Sequence, residues 1–172
     1  MAYNKKKIIW TGLLILVLAG LFFSRSILKP KVLISDSSNN YSQNNSSEKL
    51  RKGTLIIGQK KINIDIAEND SQWYKGLSNR ANICEDCGMF FLFPGYDNLS
   101  FVMRDMKFPL DIIFIRDNEI LNIAENLAPA TNDTKNIYSS KGEANRVLEV
   151  NAGFSKKQGI KAGDKITDIQ IN

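Results

Sequence analysis

The chain has 172 residues, which is enough for one domain with its own hydrophobic core and too few for two. Its net charge of +5 arises in the first 50 residues, because residues 51–172 hold sixteen basic and sixteen acidic side chains. Without a net positive field, the folded part is not suited to nucleic-acid binding. The sequence contains no His, which excludes Ser–His and Cys–His nucleophile pairs and histidine metal sites.

The N-terminal segment predicts a membrane anchor. An uncharged, mostly apolar run covers residues 8–24, directly after three lysines. As a helix it would be about 25 Å long, and an extension to Leu28, with the Arg25 side chain reaching the interface, brings it to the about 30 Å of a hydrocarbon core. We therefore interpret residues 1–7 as a cytoplasmic tail and residues 8–28 as a transmembrane signal anchor. A cleaved signal peptide is the alternative interpretation.

Residues 29–51 predict a flexible linker. The stretch "SDSSNNYSQNNSSEK" is rich in Ser and Asn, and it cannot bury enough apolar surface to offset its ordering entropy. Basic side chains are equal in number on the two sides of the anchor, but long C-terminal domains usually cross the membrane behind a short N-terminal tail. We therefore expect a single-pass protein of the cell membrane, with residues 52–172 folded outside the cytoplasm.

From Lys52 onward the apolar pattern is mainly that of β-strands. "TLIIG" and "KINIDIA" predict a hairpin, and "DSQWYKGLSNRA" then changes to helical spacing with Asp70 or Ser71 as its cap. "GMFFLF" and "LSFVM" follow as strands, with a turn at Pro94-Gly95 between them. "LDIIFI" and "EILNIAE" predict a second hairpin, and "NRVLEVNAG" and "KITDIQI" are the closing strands. The prediction is a mainly β domain, an antiparallel sandwich or barrel with one short helix.

Six short blocks occur in a characteristic order: "GLSNR", "GMFFLF", "FVMRDMKFPLDIIFI", "YSS", "VLEVNAG" and "GIKAGD". On these blocks the chain resembles the domain of unknown function 192 family, from about Thr54 to Ile171. The resemblance implies a β-sandwich of jelly-roll type, often preceded by a signal or anchor segment, and it implies no established activity. The family typically has Trp before and Lys after the Met of the central block, where this chain has Val102 and Arg104. A role that depends on that indole is therefore not carried over.

The two cysteines of the chain, Cys84 and Cys87, admit several interpretations. A redox centre is disfavoured because Glu85 and Asp86 lie between the thiols and oppose a thiolate. A zinc site would need two further ligands, which in a chain without other Cys or any His would be carboxylates or come from a second chain. We favour a disulfide, which would stabilise so tight a loop by about 2 kcal/mol. Two unpaired thiols without a role remain the alternative.

Asp111 opens an apolar run, so its carboxylate is expected to need a partner. Arg80, Arg104 or Lys107 could supply that partner. The hypothesis is a ligand-binding pocket in which a cation and Asp111 orient a small polar ligand, with Phe101 and Met103 as the apolar wall. The predicted binding face consists of Arg80, Phe101, Met103, Arg104 and Asp111. The structural alternative is an ion pair at the mouth of a sandwich. We expect no catalytic residue, metal ion or cofactor.

The sequence thus predicts a membrane-anchored extracytoplasmic domain that binds a small ligand or an envelope partner. The alternative function is that of a carboxylate-dependent hydrolase acting on an envelope polymer, with Asp111 and either Glu149 or Asp105 as acid and base. Two carboxyl groups about 5–9.5 Å apart in one open cleft would favour glycoside chemistry. An Asp111 saturated by an Arg would favour binding or structure. Glu149 itself is expected either to point outward from its strand or to face the same cavity.

Overall fold

The computed structural model describes residues 49–131 and 136–172. The predicted cytoplasmic tail, the predicted anchor and most of the predicted linker, residues 1–48, lie outside the described residues. Within the ranges that the structure describes, no helix has both the length and the apolar character needed to cross a membrane.

Nine β-strands and two short helices form the described part of the chain. They are β1 (Arg51–Ile57), β2 (Lys60–Ala67), α1 (Asp70–Lys75), β3 (Cys87–Asp97), β4 (Ser100–Val102), β5 (Leu110–Arg116), β6 (Glu119–Leu127), β7 (Ile137–Ser139), β8 (Ala144–Asn151), α2 (Phe154–Lys157) and β9 (Ile166–Ile171). This content confirms the prediction of a mainly β domain.

Seven of the strands form one mixed sheet in the order β6-β5-β8-β3-β2-β1-β9, and β4 pairs with β7 in a separate two-stranded sheet. The seven-stranded sheet curls, because its edge strands approach one another at a bridge between Glu119 and Lys165. The pairing of β2 with β3 is parallel and the other pairings are antiparallel.

The arrangement therefore differs from the all-antiparallel sandwich that we expected. The 68–86 connection, which contains α1, is long enough to carry the chain across the sheet, so β3 runs in the same direction as β2. The predicted turn at Pro94-Gly95 lies inside β3, at a break in its pairing between Leu92 and Asp97, where Pro removes no ladder hydrogen bond.

The sheet has two faces, each with its own hydrophobic cluster. The inner face carries Ile64, Phe90 and Leu148, and α2 packs on it through Phe154. The outer face carries the next residue along two of these strands, which are Phe91 and Glu149. Because successive side chains of a strand point to opposite faces, this alternation places Glu149 on the outer face, the side that α1 and β4 cover.

Candidate functional site

Two carboxylates lie in one cross-strand row on the outer face of the sheet. Asp65 on β2 is paired with Met89 on β3, and Met89 is paired with Glu149 on β8. Lys52 on β1 continues the row on the side of Asp65. Because Asp65 and Glu149 are two strands apart, their Cα atoms are separated by about 10 Å.

Glu149 is a buried acid without a complete set of partners. Its side chain is 6% exposed, and its Oε2 atom accepts no hydrogen bond from any residue in the described ranges. Burial raises the pKa of Glu149 to about 8, and the nearby Arg80 charge opposes this rise only in part. The side chain is therefore mainly a neutral carboxylic acid at pH 7, and its proton is available as a hydrogen-bond donor.

The end of α1 lies directly over this acid. Gly76 follows α1 with a φ of 47°, a conformation that favours glycine. A Cβ atom at this position would lie 3.5 Å from the Phe91 ring and 3.9 Å from Glu149 Oε2. These are ordinary van der Waals distances, so the backbone conformation, and not a lack of space, is what favours glycine here.

A cavity of about 200 Å³ opens beside Glu149 between α1 and β4. We call it the aromatic pocket, and its main lining side chains are Trp73, Phe91, Phe93, Phe101, Met106 and Glu149. The aromatic rings brace one another: Trp73 and Phe93 have centroids 4.8 Å apart, and the edge of Phe101 contacts Phe91 at 5.1 Å. The wall is therefore largely formed before any ligand arrives.

A second, wider depression of about 650 Å³ adjoins the aromatic pocket, since Lys75, Gly76 and Ser78 line both. We call it the basic groove. Its charged lining residues are Lys49, Lys52, Lys75, Arg80 and Asp65. Among these described residues cations outnumber acids by four to one, so the groove carries a positive local field.

Asp65 is held in this groove by two cations. Lys52 Nζ lies 2.7 Å from one of its carboxylate oxygens, and Arg80 Nη1 lies 2.7 Å from the other. Burial acts to raise the pKa of Asp65, but the hydrogen bonds and charges of Lys52 and Arg80 outweigh it and lower the pKa. Asp65 therefore stays ionised and fixes the Arg80 side chain close to Glu149.

The rim of the aromatic pocket is tied to the end of α1. Ser78 Oγ donates to the Arg104 carbonyl at 3.0 Å, and the Asn79 amide donates to the Asp105 carbonyl at 2.8 Å. The Arg104 guanidinium donates to the Tyr74 carbonyl at 2.7 Å and stacks 4.0 Å from the Tyr74 ring centroid. These contacts hold the Arg104 cation at the mouth of the pocket.

The structure brings four of the five predicted ligand-binding residues to this side of the domain. Phe101 and Arg104 line the aromatic pocket, and Arg80 lines the basic groove. Met103 is 2% exposed and belongs to the hydrophobic cluster beneath them.

Asp111 lies elsewhere. It is paired with Val150, a residue of the inner cluster, so its side chain is on the opposite face from Glu149. Its carboxylate accepts three backbone N–H groups, from Asn126 at 2.9 Å, Gly153 at 3.0 Å and Ser155 at 3.0 Å. The partners are thus amides at the start of α2 and on β6, and not an arginine, which gives Asp111 a structural role.

The two cysteines are joined. The Sγ atoms of Cys84 and Cys87 are bonded at 1.98 Å, and Asn151 donates to the Cys84 carbonyl at 2.9 Å. The bridge fixes the loop that leads into β3. In the described ranges, no three His, Cys, Asp or Glu side chains lie close enough together to hold a metal ion.

The sequence profile of the domain of unknown function 192 family, described as an uncharacterized ACR, matches residues 54–167. The chain belongs to this family. No curated protein matches the chain.

Two crystal structures are similar to the chain. The first is from Sinorhizobium meliloti and is provisionally described as a transcription regulator; it is 30% identical, with 69% of this chain and 92% of that chain covered and a TM-score of 0.62. The second is a protein of unknown function from Novosphingobium aromaticivorans; it is 32% identical, with 68% of this chain and 84% of that chain covered and a TM-score of 0.62.

Proposed function

We propose that this domain binds a small ligand in the cleft formed by the aromatic pocket and the basic groove. The observation that carries the proposal is Glu149, whose Oε2 atom lies buried at the pocket floor without a hydrogen-bond partner in the described ranges. A buried polar atom left in this state costs on the order of 1–3 kcal/mol. A ligand that makes the missing hydrogen bond recovers this free energy, and an apolar residue at this position would have avoided the cost altogether.

The surroundings of Glu149 support binding by a shaped and largely rigid cleft. Apolar walls with a few convergent polar groups and an acid of shifted pKa are typical of ligand sites. The walls are braced aromatic rings, and the polar groups are Glu149, Arg80 and Lys75. A small molecule that entered would contact the rings, and a local shift of the lining side chains would bring it to Glu149 Oε2, which is almost fully covered.

Three aromatic and saccharide probes test this proposal on the full chain kept in a mild detergent. Benzoate, benzyltrimethylammonium and methyl glucoside are titrated while backbone amide resonances are followed by NMR. We expect one of them to shift the amides of Gly76, Ser78 and Phe101 in a saturable way and to leave those of α2 unchanged. Saturable shifts confined to other surfaces, or none in the millimolar range, would contradict ligand binding in this cleft.

We further propose that residues 8–28 anchor the domain to the cell membrane, with residues 52–172 outside the cytoplasm. The support is the length and apolar character of the segment together with the polar linker that follows it. The full chain is expected to remain with the membrane fraction after an alkaline wash, and a chain lacking residues 1–28 is expected to be released. Release of the intact full chain would contradict anchoring.

A carboxylate-dependent hydrolase is the second candidate, and one observation favours it. The pKa of Glu149 is raised and that of Asp65 is lowered, which is the pattern of an acid and an ionised partner in one site. The initially expected pair of Asp111 and Glu149 is excluded because the two lie on opposite faces. Each carboxylate oxygen of Asp65 is engaged by a cation, which favours binding over hydrolysis.

Hydrolysis is tested with 4-nitrophenyl glycosides and 4-nitrophenyl acetate. Release of nitrophenol by the wild-type chain that is lost in Glu149→Gln would establish the hydrolase. We expect the wild-type rate to equal that of Glu149→Gln, because Asp65, the second carboxylate of the row, is bound by both Lys52 and Arg80.

A further inference from the structure

We infer that the ligand is a small organic anion, a carboxylate with a ring-sized apolar body, whose carboxylate group lies between the Glu149 carboxyl group and the cations of the basic groove. This inference rests on the proposed function and names the chemical class of its ligand. It combines three features of the cleft: the charge of its rim, the protonation of its floor and the shape of its apolar wall.

The rim of the cleft selects for negative charge. Lys75 lines both the basic groove and the aromatic pocket, and Arg104 stands at the pocket mouth on the other side. Asp65 offsets part of this positive charge. However, both Lys52 and Arg80 form ion pairs with it, so the net charge of these three side chains remains positive. An organic cation would meet the same field as repulsion.

The floor of the cleft accepts an anion only while Glu149 holds its proton. A neutral carboxylic acid offers one O–H donor, and a hydrogen bond from it to a carboxylate is short and strong. Once Glu149 ionises, two carboxylates would face each other in a site of low dielectric, and binding would be lost. The ligand and the proton on Glu149 therefore bind together.

The charged and titratable groups around Glu149 also favour a negatively charged ligand. They are Tyr74 and Lys75 within α1, Arg80 after it, Asp65 on β2, Lys52 on β1, and Arg104 across the pocket. Their sum is positive, so they favour an anionic guest and oppose a cationic one. The aromatic rings alone would suit an organic cation, but Arg104 already occupies the face of Tyr74 at 4.0 Å.

The apolar body of the ligand is set by the aromatic pocket. Its volume of about 200 Å³ and its walls of Trp73, Phe93 and Phe101 fit a single ring or a branched chain of similar size. Larger groups would extend along the basic groove, which has about 650 Å³. A carboxylate attached directly to a ring would be directed at Glu149 while the ring contacts the wall, and a small shift of the lining side chains would expose Oε2 to it.

Three probes of one shape separate the possibilities: benzoate, benzyl alcohol and benzylammonium, titrated into the full chain by NMR at about pH 6 and about pH 9. Because Glu149 loses its proton near pH 8, we expect benzoate to bind in the cleft with an affinity about tenfold weaker at the higher pH. Benzyl alcohol should show little pH dependence, and benzylammonium should bind weakest. Glu149→Gln should remove the pH dependence of benzoate binding, since glutamine donates at both pH values.

Charge variants complete the experiment. Lys75→Gln should weaken benzoate binding about threefold, while Lys156→Gln, which removes an exposed charge on α2, should leave it unchanged. Binding of benzylammonium that strengthens as the pH rises, or of benzyl alcohol in preference to benzoate, would overturn the anion inference and leave the proposed function standing. Failure of all three probes to shift the Gly76 and Phe101 amides would overturn both.

Discussion

The stability of the domain should depend on pH through Glu149, and the size of the effect follows from its burial. In the unfolded chain the carboxyl group has its usual pKa of 4.5, whereas in the folded domain burial raises the pKa to about 8. Below pH 4.5 both the folded and the unfolded state hold the proton, so the group does not make the free energy of unfolding depend on pH. Between pH 4.5 and pH 8 only the folded state holds it, and the free energy of unfolding falls by about 1.4 kcal/mol per pH unit. The total loss is roughly 5 kcal/mol.

Glu149→Gln removes this contribution because its amide does not titrate. We expect the variant to gain stability over the wild-type chain as the pH rises, by roughly 5 kcal/mol between about pH 4.5 and about pH 9. The assay is urea unfolding followed by circular dichroism at a series of pH values. Subtracting the wild-type curve cancels the other titrating groups, which are common to both chains.

Glu125→Gln is the matched control, since Glu125 is exposed on β6 and is solvated in both states. The gain of stability with rising pH that we expect of Glu149→Gln should be absent from this control variant. A Glu149→Gln difference that is equally flat would refute the reasoning, because it would mean that the folded domain releases the Glu149 proton as readily as the unfolded chain does.

Three further predictions concern positions around the cleft and on the opposite face. Gly76→Ala should lower the free energy of unfolding by about 1–3 kcal/mol, because alanine is strained at a φ of 47°; thermal melting equal to that of the wild-type chain would show that the backbone at this position relaxes without cost. Asp111→Ala should lower stability by about 3 kcal/mol, as it leaves three amides without their acceptor, yet the benzoate affinity should not change; a loss of affinity in the folded variant would return Asp111 to the site. Replacing Cys84 and Cys87 by Ser should cost about 2 kcal/mol in urea unfolding without reductant; equal stability of the variant and the oxidised wild-type chain would show that the bridge stabilises nothing.

The strands could be predicted from the sequence because apolar side chains alternate along them. Ile62, Ile64 and Ile66 all lie on the inner face, as their spacing requires. The parallel pairing of β2 with β3 could not be predicted in this way. Alternation fixes which residues share a face, but it contains no information about the direction in which a strand returns after a connection such as residues 68–86.

The candidate site was predicted in part. The outcomes for Asp111 and Glu149 show what the sequence leaves undetermined. Asp111 was expected to need a partner, whereas Glu149 was expected either to point outward from its strand or to face the same cavity. Which of the two carboxyl groups finds hydrogen-bond donors depends on what packs over each face. The start of α2 brings backbone amides to Asp111, whereas the end of α1 brings Gly76 and an aromatic wall to Glu149. The signal that singles out Glu149 in the sequence is its position in "VLEV", a strand that is apolar on both faces.

The most direct measurement is a titration of the Glu149 carboxyl carbon by NMR, assigned by its loss in Glu149→Gln and repeated in the presence of benzoate. The account predicts a midpoint near pH 8 in the free chain and a higher midpoint when benzoate is bound, because the anion and the proton bind together. A midpoint near the usual 4.5 that benzoate does not move would contradict it.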